Sequence, residues 1–179
     1  MINKLKSYKE LSLTVANIIK RQLKKHPLSK LGLPTGDTPL GMYSELVKKE
    51  LDWSHAITFN LDVYLMNIDH PQSYQMYMRG NLFDRTNIYP DHTHFPFRPT
   101  SAFEDKITES MGIDLCILGI GSNGHIAFNE PGSSFKSRTR VVDLSLQTLQ
   151  DNSRFFGSAE DVPASILQNH KNVKVFYCD

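Results

Sequence analysis

The segment LGIGSNGHIAFNEPG, residues 118–132, joins a glycine-rich turn to two side chains that can transfer protons. Histidine titrates near neutral pH, and a nearby carboxylate can orient and charge it, so His125 and Glu130 suit general acid–base catalysis. The same segment satisfies the dinucleotide-binding pattern G-x-G-x-x-G at Gly119, Gly121 and Gly124. On pattern alone, a histidine bonded to a backbone carbonyl and a surface glutamate fit these positions equally well.

A dinucleotide-binding turn requires a helix that begins inside the glycine motif, because the helix N-terminus receives the pyrophosphate. Here Pro131, Gly132 and two serines follow within two turns and would break such a helix. An apolar run precedes the glycines and Asp143 lies near the position of a ribose-binding acid, but these signals are weak without the helix. The segment therefore favours a turn whose backbone approaches some other ligand closely.

Helical spacing of apolar residues alternates with short apolar runs along the chain. The pattern predicts helices over residues 5–25, 40–51, 71–84, 102–110 and 164–169. It predicts strands over residues 30–33, 56–61, 113–119, 139–144 and 173–177, and a loop over 86–100. Strands that alternate with helices are typical of βαβ units, so we expect an α/β fold with a mostly parallel sheet.

Polar or small residues follow three of these predicted strands. They are the turn 35–38, Asp62, and the segment from Gly121 to Glu130. In open α/β sheets, ligands bind outside the carboxyl ends of the strands. We therefore expect these three segments to form one pocket.

The bulk composition excludes several other classes of function. The 179 residues carry a formal net charge of +1, which gives no indication of a nucleic-acid partner. The chain has no long apolar span and no C-x-x-C, so we expect a cytoplasmic protein with no membrane partner. His92 and His94 could ligate a metal, but no third ligand stands at motif spacing, and we expect no metal site.

Five motifs, in order, resemble the glucosamine-6-phosphate deaminase (isomerase) family. They are LGLPTGDTPLGMY, FNLDVY, HPQSY, GIGSNGHIAFNEPG and NSRFF, and VPASILQNHKNVKV is similar to that family's C-terminal end. The resemblance implies a Rossmann-like three-layer α/β sandwich, a single domain over residues 1–179 that binds no nucleotide and needs no cofactor. The implied reaction converts glucosamine 6-phosphate or galactosamine 6-phosphate and water to the ketohexose 6-phosphate and ammonia. Its steps are ring opening, C2-to-C1 proton transfer and imine hydrolysis.

The resemblance also implies a role for each matching residue. Asp62 would be the base that moves a proton between C2 and C1. His125 would be the acid/base for ring opening with Glu130 as its partner, and Asn123 matches a position, held by Asp or Asn in the family, that is also assigned to ring opening. The phosphate-binding set would be Thr35, Gly36, Asp37, Thr38 and Arg154.

Four features depart from the family pattern. Asp37 stands where we expect a small residue, and its carboxylate would repel a phosphate unless it points away or pairs with a cation. Val63 replaces the glutamate that usually follows the catalytic aspartate, and the stretch around residues 99–103 is shorter. The largest departure is an apparent missing segment between Asp161 and Val162, which in the family carries strands, helices and a phosphate-binding lysine.

The missing segment has three explanations: a degenerate relative, an engineered deletion, or natural residues absent from this sequence. Losing a central piece would leave exposed strand edges, so we favour the third and expect weak or absent activity if the deletion is real. Two alternatives to a deaminase stay open, a non-catalytic sugar-phosphate sensor and a hydrolase like the related 6-phosphogluconolactonases. A homo-oligomer is compatible with any of them.

Overall fold

The computed structural model describes residues 2–148 and 175–178. Its helices are α1 (Tyr8–Lys25), α2 (Leu40–Val47), α3 (Tyr74–Asn81) and α4 (Thr100–Glu109), and short 3₁₀ turns span Phe83–Arg85 and Pro90–His92. Its strands are β1 (Ile2–Lys4), β2 (Lys30–Leu33), β3 (Ile57–Asn60), β4 (Thr93–His94), β5 (Leu115–Cys116) and β6 (Val175–Tyr177).

Four of these strands form a parallel sheet in the order β4-β3-β2-β5, and β1 pairs in parallel with β6. Within the larger sheet, α2, α3 and α4 each connect one strand to the next along the chain. The predicted α/β class with a parallel sheet is therefore confirmed. Because all four strands run the same way, the loops after β2, β3 and β5 leave from one edge of the sheet.

The first helix begins at a sequence-encoded cap and packs closely on the second. The Ser7 side chain accepts a hydrogen bond from the backbone N–H of Glu10. Lys24 and Lys25 occupy the last turn, where their positive charges interact favourably with the negative end of the helix dipole. At Gly41 in α2, any Cβ would overlap the hydroxyl of Ser12 in α1. A glycine at this position therefore lets α1 lie directly against the start of α2.

The core lies between the sheet and these helices. Its largest fully buried side chains are Trp53, Tyr43, Phe59, Ile19, Leu31, Leu33, Leu46, Met78 and Leu82. The Asn60 side chain, also fully buried, donates from Nδ2 to the carbonyl of Leu33 at 3.1 Å. This bond ties the carboxyl end of β3 to that of β2, just before the two loops diverge.

Two predicted strands differ from the structure. β5 covers only residues 115–116 of the predicted strand 113–119, and Leu118 and Ile120 are 41% and 64% exposed, although an apolar run predicts burial on both faces. The predicted strand 139–144 is wrong, since no strand is assigned there. Side chains supply the backbone partners instead: Glu104 accepts from the N–H of Thr139 at 2.7 Å, and Glu130 accepts from that of Ser145 at 3.0 Å.

Two short strands were missed by sequence reasoning. β4 lies inside the predicted loop 86–100, and β1 precedes the predicted helix 5–25. Strands of two or three residues are too short for alternation to show. The predicted strand 173–177 is confirmed as β6, whereas the predicted helix 164–169 and the gap after residue 161 lie outside the described residues. No helix in the described part of the chain is both long and apolar enough to cross a membrane.

Candidate active site

Asp62 follows β3 by two residues and is buried at the carboxyl edge of the sheet, with 8% of its surface exposed. Burial penalises the charged carboxylate and raises the pKa of Asp62 to about 7, although a hydrogen bond with the Thr35 side chain acts in the opposite direction. A carboxyl group with this pKa exchanges a proton readily at neutral pH. Asp62 therefore has the properties of a general acid–base group.

Thr35 joins Asp62 to the predicted phosphate loop, residues 35–38. Its side chain is hydrogen-bonded both to Asp62 and to Tyr74, whose pKa is raised by burial and, to a smaller extent, by the charge of Asp62. Tyr74 therefore stays protonated around neutral pH and acts as a neutral hydrogen-bonding group beside Thr35.

Three tyrosine hydroxyls bind the carbonyl groups of the phosphate loop and of the residue before it. Tyr43 donates to Pro34 O at 2.5 Å, Tyr77 donates to Gly36 O at 2.5 Å, and Tyr8 donates to Thr38 O at 2.9 Å. Oxygens that would repel an anion are thus occupied by donors. The tyrosines come from α1, α2 and α3, so three helices fix the conformation of this loop.

The backbone N–H groups of the phosphate loop are potential donors to a bound anion. Within the described residues, the N–H groups of Thr35, Gly36 and Thr38 donate no hydrogen bond. Gly36 has φ +95°, a left-handed conformation that favours glycine, and there is open space where its Cβ would stand. A turn of this kind before the start of a helix provides backbone donors to a phosphate.

The second group of site residues surrounds His125. Asn123 Oδ1 accepts from the backbone N–H of His125 at 3.0 Å and lies 2.8 Å from its Nδ1. Asn123 Nδ2 donates to Glu130 Oε2 at 2.7 Å. Glu130 thus reaches His125 through the amide of Asn123, and no direct bond joins the two in the described part of the chain.

Glu130 is held as a carboxylate by its donors. Partial burial alone would raise the pKa of Glu130, but hydrogen bonds from the Thr148 side chain, the Ser145 backbone and the Asn123 side chain outweigh that effect and leave the pKa below its usual value. An ionised Glu130 supplies a fixed negative charge that is separated from His125 by one side chain, that of Asn123.

The glycine-rich turn serves the histidine itself. A Cβ at Gly121 would overlap the His125 ring at Cε1, Nε2 and Nδ1. The backbone N–H of Gly121 also donates to His125 O at 2.8 Å. Gly121 therefore makes the space in which the imidazole ring lies. No helix begins at the glycine motif. This agrees with the sequence prediction that the turn is not a dinucleotide-binding turn.

An aromatic cluster of Tyr64, Tyr74 and Phe128 joins the Asp62 loop to the His125 loop. The ring centroids of Tyr64 and Tyr74 lie 4.7 Å apart, and those of Tyr64 and Phe128 lie 5.2 Å apart. Tyr64 is two residues from Asp62, and Phe128 is three residues from His125. The cluster thus packs the loop that carries Asp62 against the loop that carries His125.

The family relationship follows from the sequence as a whole. The profile described as glucosamine-6-phosphate isomerases/6-phosphogluconolactonase matches residues 3–148. The chain belongs to this family.

Relatives within the family carry the more specific name. A glucosamine-6-phosphate deaminase of Thermoanaerobacter sp. (strain X514) is 46% identical over 173 residues, which cover 90% of this chain and 68% of that protein. Glucosamine-6-phosphate deaminase 2 of Bacillus subtilis (strain 168) is 48% identical over 162 residues, which cover 84% of this chain and 65% of that protein. The chain thus spans about two thirds of the length of these relatives.

Solved structures show the same fold. A monomeric glucosamine-6-phosphate deaminase superposes with a TM-score of 0.87 at 36% identity, over 92% of this chain and 75% of that one. The 6-phosphogluconolactonase of Thermotoga maritima superposes with a TM-score of 0.64 at 22% identity, over 78% of this chain and 67% of that one. The second likeness shows a shared fold alone.

The structure brings most of the sequence-predicted site residues of this family member into two linked groups. Thr35 contacts Asp62, and Asn123 contacts His125 and Glu130, whereas Arg154 lies outside the described residues. Sequence reasoning missed two hydroxyl side chains of the second group, Ser145 and Thr148, and the tyrosines that hold the phosphate loop. No spacing rule predicts these residues, because their contacts are set by the tertiary fold.

The two histidines considered as metal ligands, His92 and His94, have structural partners. His92 Nδ1 lies 3.1 Å from the carbonyl of Ala56, and the His94 ring packs on Phe59 at 5.1 Å between centroids. Among the described residues, no three His, Cys, Asp or Glu side chains come together in a way that could hold a metal ion.

Proposed function

We propose that this chain is a glucosamine-6-phosphate deaminase that converts glucosamine 6-phosphate and water to fructose 6-phosphate and ammonia. The observation that carries the proposal is the position of Asp62, a buried carboxyl with a pKa of about 7 hydrogen-bonded to the first residue of the phosphate loop. A sugar bound by its phosphate at this loop would place its carbon chain within reach of Asp62. Membership of the family, with relatives that bear this name, supports the same activity.

Asp62 acts in the proton-transfer step. After the sugar ring opens, the proton on C2 is acidic because it neighbours the C1 carbonyl. The Asp62 carboxylate removes it, and the C1 oxygen takes up a proton to give an enolamine. The Asp62 acid then returns its proton to C1 while the nitrogen loses one, which leaves a C2 imine that water hydrolyses to ammonia and the ketose. Because the carboxylate is the active form, we expect kcat/KM to rise as the pH increases through about 7.

His125 acts in the ring-opening step. Asn123 Oδ1 can only accept hydrogen bonds, so the 2.8 Å contact requires a hydrogen on His125 Nδ1. Nε2 makes no hydrogen bond to the described residues and can exchange a proton with the ring oxygen and the C1 hydroxyl of the sugar. Glu130 and Asn123 fix the ring in this orientation.

The phosphate is held by backbone and side-chain groups without a metal or an organic cofactor. The loop 35–38 supplies N–H donors, and Arg154, from outside the described residues, would pair with the dianion through its planar guanidinium. Asp37 belongs to this loop, and its main-chain carbonyl lies 3.3 Å from the Tyr8 hydroxyl. A single domain, a cytoplasmic location and a homo-oligomer stay predictions from the sequence, as does the choice between glucosamine and galactosamine 6-phosphate.

Ammonia release from glucosamine 6-phosphate tests the function. We expect turnover by the wild type and a loss of at least about 10²-fold in Asp62→Asn, since a positioned general base contributes about that much or more. Thermal stabilisation by glucosamine 6-phosphate should persist in Asp62→Asn, because the phosphate loop is unchanged.

Two results would contradict a deaminase, and a third would contradict the role of Asp62. Stabilisation without turnover in the wild type would support the sugar-phosphate sensor, for which the departures at Asp37 and Val63 argue. Hydrolysis of 6-phosphogluconolactone without ammonia release would support the lactonase. Ammonia release that is as fast in Asp62→Asn as in the wild type would remove Asp62 from the reaction.

A further inference from the structure

Thr148 lies in the middle of the His125 group, with 0% of its surface exposed. Its Oγ1 is 3.1 Å from His125 Nδ1, 3.3 Å from Asn123 Nδ2 and 3.1 Å from Ser145 Oγ. Its side chain is also hydrogen-bonded to Glu130. One hydroxyl therefore contacts all three residues of the proposed ring-opening group.

The hydrogen positions around Thr148 follow from what each neighbour can do. Ionised Glu130 only accepts hydrogen bonds, so the hydroxyl hydrogen of Thr148 points to its carboxylate. Asn123 Nδ2 only donates, and Oγ1 accepts from that side. Because the hydroxyl hydrogen is committed to Glu130, the 3.1 Å contact with His125 is favourable only when Nδ1 carries a hydrogen.

A local turn holds the hydroxyl in place. Ser145 Oγ accepts from the backbone N–H of Thr148 at 3.2 Å, and the backbone N–H of Ser145 donates to Glu130 Oε1 at 3.0 Å. The first of these bonds is the usual capping contact at the start of a helical turn, and residues 146–148 are helical. The backbone and the side chain of this turn thus position Thr148 relative to Glu130.

We propose that Thr148 is a positioning residue for the ring-opening step, an inference that rests on the function proposed above. Its hydroxyl forms a second bridge between Glu130 and His125, parallel to the bridge through Asn123. Asn123 Oδ1 and Thr148 Oγ1 both accept from His125 Nδ1. Together they hold neutral His125 with its hydrogen on Nδ1 and its lone pair on Nε2, the nitrogen that faces the sugar in the proposed reaction.

The variants Thr148→Val and Thr148→Ser test this role. Valine keeps the shape and removes the hydroxyl, whereas serine keeps the hydroxyl and removes a methyl group. The first measurement is the share of neutral His125 that carries its hydrogen on Nδ1, from long-range ¹H–¹⁵N NMR spectra of the free protein, with the signal assigned by the spectrum of His125→Gln. We expect this share to fall in Thr148→Val and to be retained in Thr148→Ser.

The second measurement is kcat and KM for ammonia release. We expect Thr148→Val to lower kcat by roughly tenfold to hundredfold with little change in KM, and Thr148→Ser to stay near the wild type. The loss should be smaller than the ~10⁴-fold seen when the residue that orients a catalytic histidine is replaced, because the Asn123 bridge remains. If Thr148→Val does not fold, as judged by its thermal melt, Thr148→Ala is measured in the same way.

The two measurements separate this inference from the proposed function. An unchanged tautomer share in the variants without the hydroxyl overturns the positioning role, whatever the activity. A rise in KM alone also overturns it, since that would mean a role in binding. If the tautomer share falls in Thr148→Val and the wild-type protein releases no ammonia, the positioning contact is supported while the deaminase proposal fails.

Discussion

Asp62 is the residue at which stability and chemistry conflict most directly. Its environment disfavours the carboxylate, yet the proposed reaction needs the carboxylate as a base. Burial raises the pKa of Asp62 from 3.8 to about 7, so the folded protein holds this proton more tightly than the unfolded chain does between these pH values. The protonated group therefore contributes stability that is fully present below about pH 4 and is lost as the pH rises through about 7.

Asp62→Asn removes this pH dependence because an amide does not ionise. We expect the free energy of unfolding of the variant, relative to that of the wild type, to be larger at about pH 8 than at about pH 5, because only the wild type loses stability as Asp62 ionises. The upper limit of this change is roughly 3 kcal/mol, since about two pKa units of the shift fall between pH 5 and pH 7 and each unit corresponds to about 1.4 kcal/mol. Urea denaturation at both pH values measures it, and a difference that does not depend on pH would contradict the raised pKa.

Gly121→Ala should disrupt the ring-opening group because the new methyl group would occupy the space of the His125 ring. Asn123 and Thr148 hold that ring by hydrogen bonds, so displacing it breaks the contacts that orient it. We expect kcat for ammonia release to fall by about 10²-fold or more, the usual contribution of a positioned acid–base group.

Gly119→Ala is the matched control for this prediction. Gly119 lies in the same turn, but its Cβ would meet no atom within 4 Å. We expect this variant to keep the wild-type kcat within about twofold, because a surface substitution away from special features costs little. Equal losses in both variants would mean that the turn as a whole, and not the space for the imidazole, requires glycine.

At the scale of elements, the phosphate loop depends on helices that contribute only hydroxyl groups to it. Tyr77 in α3 donates to Gly36 O, and burial raises the pKa of Tyr77, so the hydroxyl remains a donor. Tyr77→Phe should loosen the loop without touching the catalytic carboxyl. We expect KM for glucosamine 6-phosphate to rise by about twofold to tenfold, equivalent to one hydrogen bond, with kcat nearly unchanged.

Tyr89→Phe provides the control for the loop, because Tyr89 is exposed and its ring packs on His92 at 5.5 Å. It should leave both constants unchanged. A fall in kcat in Tyr77→Phe at constant KM would indicate instead that α3 positions Asp62 or the sugar.

The elements themselves differ in how far the sequence predicts them. α1 is long, capped by Ser7 and strongly periodic, so its existence and position follow from local pattern. The 139–144 segment has a strand-like composition, but Glu104 binds the backbone N–H of Thr139 at its start, and Glu130 binds that of Ser145 directly after it. β4, at two residues, exists only because β3 lies beside it.

The proposed site shows the same division. His125 and Glu130 lie in one contiguous motif whose chemistry suggests acid–base catalysis, whereas the role of Asp62 is implied by the resemblance to the family. Thr148 contacts His125 across 23 positions of sequence, and Tyr77 contacts Gly36 across 41. Such partners can be recognised only after the fold has brought them together.

At the scale of the whole molecule, the parallel sheet depends on close approach between β2 and β5. A Cβ at Gly32 would overlap Cys116 Sγ and would lie 3.3 Å from the Cys116 Cα in the neighbouring strand. Backbone cannot move away as a flexible side chain can, so Gly32→Ala should force the two strands apart. We expect a loss of about 1–3 kcal/mol in the free energy of unfolding, the usual cost of overpacking a core.

Gly80→Ala, in α3, is the opposite case and the control. A Cβ there meets nothing within 4 Å, and the residue lies inside a helix, where alanine is favoured over glycine by about 0.5–1 kcal/mol. We therefore expect Gly80→Ala to be slightly more stable than the wild type in the same urea titration. If Gly32→Ala were equally stable, β5 would have to shift freely against β2. In that case the loop that begins at β5 and carries His125 would not be fixed to the sheet that carries Asp62, and the two halves of the proposed site would lack a common frame.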